Sequence, residues 1–475
     1  MTILTRLAPA PRLAAAPITL CAALIALTAA WSAPIAAQEQ APAPGTPKAF
    51  RVPEHRTFTL GNGMQVTLIH YGTIPKALAL LDVRTGLIDE TPSTVGLAGL
   101  TANMLLEGTA ARTSQQISLE AADLGGTLSA FAGAASTQIT GEVLSEHAAR
   151  FVSLVSDVAQ HPRFDAADFD RVRKNAIRDL AITLQNAYDQ TRRLWRGMIF
   201  PNHPFGRVYA SEATLKALTV ADTRTFHAQN VGAGRAHLYV SGVFDDAAVE
   251  KAARAAFDGW APGKPATVNP ATPVARRQLT LLDRPDAVQS TIWIGLPVVD
   301  PSHPDYVRFG VTDLLLGGAF GSRITSNIRE DKGYTYSPFS TVWARKGAAY
   351  WVEAADVTTK DTGASLKEII AEIERLRREA PPAAELEGIK QYEVGFFTIR
   401  NSSRQGIANQ LQFVDENNLG ESYLTNFVKN VMAVSPDDVR RMAQLYLDPG
   451  KMTIAVVGDK KTVEAQVAPY RPIVP

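Results

Sequence analysis

Gly99, Ala102 and Asn103 fall at i, i+3 and i+4 in the run VGLAGLTANMLLEGT, residues 95–109, so they share one face of a helix. Leu97, Leu100, Met104 and Leu105 form the neighbouring stripe, at the spacing of a buried helical face. A zinc hydrolase arms such a face with two imidazoles one turn apart and a carboxylate beside them as general base. Here the first two positions carry no polar side-chain atom and the third carries only an amide. The eight histidines are His55, His70, His147, His161, His203, His227, His237 and His303, and no two lie three or four residues apart. Glu146-His147 has Val143 at the position where a first ligand would stand, and that stretch reads as the start of an amphipathic helix. A second group lies in LLGGAFGSRITSNIREDKGYTYSP, residues 315–338, where Arg329 and Tyr336 stand seven apart. A guanidinium offers a rigid fork of donors and a phenol offers one more, a set suited to a carbonyl oxygen that gains charge in a water-poor cleft. From these residues alone, an ion pair of Arg329 with Glu330 or Asp331 and a core tyrosine is the simpler reading. Gly317, Gly318 and Gly321 are not followed by Gly-Lys-Ser/Thr, so a phosphate loop is not indicated and close helix packing is.

The flanks of the 95–109 run resemble the pitrilysin/insulinase metallopeptidases, whose inverted motif His-x-x-Glu-His sits in a run close to Gly-Leu-Ala-His-Phe-Leu-Glu-His-Met-Leu-Phe-x-Gly-Thr. Gly96, Leu97, Ala98, Met104, Leu105, Gly108 and Thr109 match it, whereas Gly99, Ala102 and Asn103 replace the two histidines and the glutamate. The family's third ligand is a glutamate on a later helix. NAIRDL, residues 175–180, resembles that helix and puts Asp179 at or near the ligand position, beside Arg178. The resemblance implies no zinc bound by this chain. It further implies that Arg329 and Tyr336 bind substrate backbone and stabilise the scissile carbonyl oxygen, with Tyr334 an outside candidate at a position that is usually leucine. In several members two chains of similar size close on each other, and only one carries zinc. The expectation is therefore a non-catalytic subunit of a periplasmic zinc endopeptidase. Arg329 and Tyr336 would complete a zinc-bearing partner's site for peptide or unfolded protein substrates. A catalytically silent peptide-binding scaffold is the alternative.

The positions above need a large, ordered framework, and composition allows one. The chain has 475 residues, 46% apolar and 20% charged, with a formal net charge of +1. That is neither a disordered composition nor an electrostatic footprint for nucleic acid. Residues 1–37 read as an export signal: Arg6 and Arg12 precede an uncharged apolar run over 18–31, and Ala36-Ala37 offer a cleavage site. Cys21, the one cysteine, lies inside that signal, so the mature chain is expected to be soluble and free of disulfides.

Residues 38–54 are a Pro/Ala-rich linker. Strands are expected over 57–60 and 64–70, joined at Gly61-Asn62-Gly63, then over 77–85, 128–132, 138–144 and 236–241. Helices are expected over 117–124, 146–159, 166–186 and 211–230, with His203 stabilising a turn in the loop at 201–206. A second Pro/Gly linker covers 260–274. After it the pattern recurs: FHAQNVGAGRAHLYVSGVFD from Phe226 aligns with MAQLYLDPGKMTIAVVGD from Met442, and FDAADFDRVRKNAIRDL from Phe164 with PPAAELEGIKQYEVGFF from Pro381. A period of ~200 residues points to two related domains, 55–259 and 275–475, and not to a solenoid. Each is expected to be α+β, a mixed sheet with helices on one face.

Overall fold

A computed structural model describes residue 45 and residues 47–266 and 269–472. The export signal and the first part of the Pro/Ala linker lie outside the described residues.

The first half opens with β1 (His55–Thr59) and β2 (Gln65–His70), an antiparallel hairpin. Gly63 takes φ +89° in its turn, which L side chains rarely adopt. With β3 (Lys76–Val83), β4 (Ser129–Ala132), β5 (Thr137–Leu144) and β6 (Ala236–Gly242) the sheet runs β1-β2-β6-β3-β5-β4. The second half contributes β7 (Gln278–Asp283), β8 (Gln289–Pro297), β9 (Phe339–Arg345), β10 (Ala348–Thr358) and β11 (Thr453–Gly458), in the order β7-β11-β8-β10-β9. Apart from the added β1, the two orders are the same. In each the parallel pair falls at the equivalent place, β2 with β6 and β7 with β11, and the remaining pairs are antiparallel.

The sequence recurrence is carried by equivalent caps. The helices Val220–Asn230 and Pro436–Tyr446, each leading to the strand that inserts mid-sheet, both start on a reciprocal capping box, Thr219 with Asp222 and Ser435 with Asp438. The matching long helices, Ala166–Thr183 and Ala383–Arg400, are both 18 residues.

Two expected helices end differently. The 211–230 stretch is two helices, Glu212–Ala217 and Val220–Asn230, because Leu218 turns extended and buries while Thr219 caps a new start. The 166–186 stretch stops at Thr183, and Asn186 caps an unanticipated helix, Ala187–Ile199, by accepting from the Tyr188 N–H.

Each half's own helices cover one face of its sheet. The opposite face takes a helix from the other half. Ala187–Ile199 lies on β8 and β11, and Arg404–Glu416 lies on β3 and β6. Both sheets are therefore buried on both sides, which is why β3 (KALALLDV) reads as a continuous apolar run rather than an alternating one.

Candidate functional site

The expected motif segment forms α1 (Leu97–Leu105). Its N-cap is Gly96 at φ +96°, which has no side chain to accept the first free N–H groups. Glu90 supplies the acceptor from the preceding segment. Its Oε1 takes the Gly96 N–H at 3.1 Å and the Ala98 N–H at 2.8 Å. Burial pushes the Glu90 carboxyl up to about 7, outweighing those two amides and the Arg207 charge. Leu97, Leu100, Met104 and Leu105 bury as the stripe required, and fix which way the other face points.

That other face looks into a cavity of about 280 Å³, lined by Gly99, Asn103 and Asp179 together with Glu90, Leu100 and Leu180. Three of the four ligand-position residues are thus brought together across two helices, with Asp179 supplied by α2 (Ala166–Thr183). Ala102 is buried and does not line the cavity. A Cβ built on Gly99 would have no atom within 4 Å, so the space a ligand side chain would take there is open. Asp179 is 63% exposed and pairs with Arg178 at 3.0 Å. Among the described residues no group of three His, Cys, Asp or Glu is placed to hold a metal ion. In the cavity, one carboxylate pairs with arginine and the other caps a helix. The donors present do not fit zinc.

Sequence reasoning missed Glu90, Arg207 and Tyr209 on this lining. The signal for Glu90 was the lack of any capping side chain before α1, which leaves orphan N–H groups that some distant acceptor must satisfy.

Arg329 and Tyr336 sit in the second half, and neither lines that cavity. Arg329 belongs to a π-helical stretch, Ser326–Asp331, that Arg323 anchors through a two-pronged pair with Glu385 at 2.7 and 2.8 Å. Gly333, at φ +64°, turns the chain back along β10. There the Tyr334 N–H donates to the Ile328 carbonyl, the Thr358 N–H donates to the Tyr334 carbonyl, and the Thr335 hydroxyl donates to the Asp356 carbonyl. Those bonds fix two different tyrosines. Tyr334 is partly buried against the second core, while Tyr336 is 78% exposed. The Arg329 guanidinium lies 5.0 Å from the Tyr336 ring centre and 4.3 Å from that of Phe320, itself exposed, and its Nε stands 3.1 Å from Glu330 Oε1. The ion pair expected from the residues alone exists, but the tyrosine is not a core residue. Close packing holds at Gly317, where a Cβ would lie 2.4 Å from Glu353 Oε2, and at Gly318, 3.0 Å from Asp313 Oδ2, but not at Gly321, where it would meet no atom within 4 Å.

His203 is buried and caps the turn Pro204–Gly206, accepting the Phe205 N–H on Nδ1. Trp351 is a core residue, Trp343 is partly buried, and Phe339 is on the exposed edge.

Comparison with known proteins agrees with this architecture. The family described as "Insulinase (Peptidase family M16)" matches residues 65–194, and "Peptidase M16 inactive domain" matches residues 217–392. An uncharacterized zinc protease of Streptomyces coelicolor is 23% identical over 427 residues, covering 86% of this chain and 91% of that protein. One from Mycobacterium tuberculosis is 24% identical over 449 residues, 89% of this chain and 98% of that protein. The crystal structure of a peptidase M16 inactive domain from Pseudomonas fluorescens superposes with a TM-score of 0.78 at 22% identity, covering 85% of this chain and 98% of that one. Two family matches in tandem, on two sheets of one topology, make the chain a member of the insulinase (M16) peptidase family.

Proposed function

We propose that this chain is the non-catalytic subunit of an exported, periplasmic zinc endopeptidase, pairing as a heterodimer with a zinc-bearing partner of the same family. Residues 1–37 would be removed on export, leaving the domains 55–259 and 275–475. One observation carries the reading. The helix expected to hold the metal keeps an open cavity without an imidazole, while Arg329 and Tyr336 remain side by side with Tyr336 at the surface. A tyrosine kept for packing would be turned inward.

The chain's own contribution is electrostatic. The Arg329 fork and the Tyr336 hydroxyl would donate to the carbonyl oxygen of a peptide held at the partner's site, where excluded water strengthens each bond. Zinc in the partner would supply the activated water. The surface position of Tyr336 supports this role, since an exposed phenol reaches a second chain.

A catalytically silent peptide-binding scaffold is the competing reading, favoured by the Arg329 Nε–Glu330 contact of 3.1 Å, which occupies part of the fork. Purifying the chain alone and with its candidate zinc partner, then measuring zinc content and peptide cleavage, separates the two. The subunit reading expects zinc and turnover only with the partner present. Arg329→Ala in the complex should lower kcat by about 10²-fold, the usual loss for one oxyanion donor. Unchanged turnover would reject the assigned role, and stoichiometric zinc in the isolated chain would reject the subunit reading.

A further inference from the structure

The second half holds a cavity of about 360 Å³ that neither Arg329 nor Tyr336 lines. It lies where the edge strand β9 meets α3 (Tyr306–Asp313), α4 (Ala383–Arg400) and α5 (Arg404–Glu416). The internal repeat places it opposite the emptied cavity of the first half. NMLLEG from Asn103 corresponds to DLLLGG from Asp313, and the alignment of the long helices sets Glu393 against Ala176. Asn103 and Ala176, which line the first cavity, therefore have carboxyls as their counterparts in the second.

The lining combines an aromatic wall with those carboxyls. The Phe397 and Phe427 rings stack at 4.3 Å, Tyr423 lies 6.1 Å from Phe427, and Phe413 lies 5.8 Å from Tyr423, an unbroken series of four rings. Asp313 is buried, and both the Trp351 Nε1 bond, at 2.7 Å, and the Ser340 hydroxyl bond go to its Oδ1. Glu393 Oε1 accepts from Arg400 Nη2 at 2.6 Å; the Glu393 side chain is 12% exposed, the Arg400 side chain 44%. Arg400 is the one basic residue on the lining, against two carboxyls.

We propose that this cavity binds the guanidinium or ammonium head of a basic peptide side chain, which takes the place of Arg400 at Glu393. Ring faces attract organic cations, and a desolvated carboxylate opposite them adds a charge-assisted bond. The volume is that of a small-ligand site. Arg400 reaches in from a solvent-exposed helix end, so the chain's own guanidinium already shows what the carboxyl accepts, and it can swing out to water at little cost. An anion would instead meet both carboxyls. Burial pushes Asp313 up to about 6, with Glu393 adding to the rise, and burial raises Glu393 as well; an entering cation relieves both. A peptide as the carrier rests on the peptidase-subunit reading, whereas the preference for a cation rests on the lining alone.

Calorimetric titration of the full chain tests this with three probes: the tripeptide Gly-Arg-Gly, its norleucine analogue Gly-Nle-Gly, and agmatine as a free guanidinium. The arginine peptide should bind and the norleucine peptide should not. Glu393→Gln should weaken binding by about tenfold or more, the scale of one lost charge-assisted bond. Arg400→Gln should tighten it, because the internal competitor is gone. That opposite sign is not expected of a merely structural pair, and it decides the matter if Glu393→Gln fails to fold. Equal binding of the two peptides, no binding of any probe, or no response to either variant would overturn the proposal. Agmatine binding without peptide binding would overturn the peptide carrier. No zinc or cleavage is read, so failure here is separate from failure of the subunit reading.

Discussion

The two helices that cross between the halves do the same geometric job with opposite chemistry. Ala187–Ile199 covers the second sheet with an aromatic cluster. Trp195 is fully buried, packs at 4.8 Å against Tyr350 and 5.7 Å against Trp293, and spends its one N–H on the Thr453 carbonyl at 3.0 Å. Gly295 is required beneath it, since a Cβ there would come within 3.0 Å of the indole. The reciprocal helix, α5, packs Ile407, Ala408 and Leu411 with Ile69, Leu78 and Leu80 of the first sheet, but rims that contact with ionisable groups. The Gln412 amide donates to Asp82 at 2.8 Å and to Glu416 at 2.7 Å, the Tyr239 hydroxyl donates to Asp415 at 2.6 Å, and Arg404 forks onto Glu142 at 2.8 and 3.0 Å. His237 stacks on Tyr239 and bonds with Thr67. Burial and the Arg84 charge push it down to about 3, so at neutral pH its 3.5 Å approach to Asp415 is not an ion pair. One clasp is built on aromatic rings, with the Arg196 guanidinium over Trp343 and Tyr350, whereas the other makes the union of the halves depend on protons.

The largest effect should come from the aromatic clasp. Trp195→Ala removes a buried indole and leaves Thr453 short of a donor, at a cost of about 3–5 kcal/mol, the usual range for aromatic truncation in a core. Urea unfolding should show that loss nearly unchanged between pH 5 and 8. A strong pH dependence would break the contrast.

Asp82→Asn acts on the polar clasp in the other direction. Burial and the neighbouring Glu416 charge push the Asp82 carboxyl up to about 7. The folded state thus holds a proton that the unfolded chain releases near pH 4, so stability falls as pH climbs from about 4 to 7 and loses no more above that. The amide keeps the bond from Gln412 and does not titrate. It should stabilise the protein by on the order of 2 kcal/mol at pH 8 and by almost nothing at pH 4. A gain that is equal at both values would show that Asp82 is not the titrating group.

Arg404→Ala should have the smallest effect, a loss of about 1 kcal/mol at pH 7 that shrinks in high salt, as expected of a partly exposed pair. The Arg404 fork holds Glu142 below the usual carboxylate range, aided by Lys76. A depressed carboxyl contributes above its unfolded pKa and loses that contribution as pH falls through its folded one. The penalty of this variant should therefore vanish in acid, as the gain from Asp82→Asn does, so the two variants change stability in opposite directions as pH rises. Thermal unfolding across pH, with both variants in one series, would read the two slopes.

Much of this was legible without coordinates where the information is local. The apolar stripe of α1 set its face, and the ~200-residue recurrence set two related sheets. The Ala187–Ile199 helix was missed because three arginines interrupt its apolar pattern, although Arg192 and Arg196 lie over aromatic rings, and its buried residues, Thr191, Trp195 and Ile199, serve a sheet far away in the chain. The break at Leu218 was missed because a capping box inside a helical pattern interrupts it without glycine or proline. Asp82 was passed over since nothing near a lone carboxylate in sequence tells whether it will be buried, and Glu90 because the uncapped start of α1 does not say which acceptor serves it.

By itself, the sequence determined that residues 99, 102 and 103 bring no imidazole or carboxylate, because which side chain stands at a position is a matter of covalent identity. It also determined the shared pattern of the two halves, because periodicity and caps act within a few residues. Only the tertiary structure decided that Tyr336 faces out while Tyr334 turns in, that Gly99, Asn103 and Asp179 frame a cavity, and that acids and rings converge in a second one. Those outcomes depend on which distant surfaces exclude water from a side chain, and desolvation has no local signature.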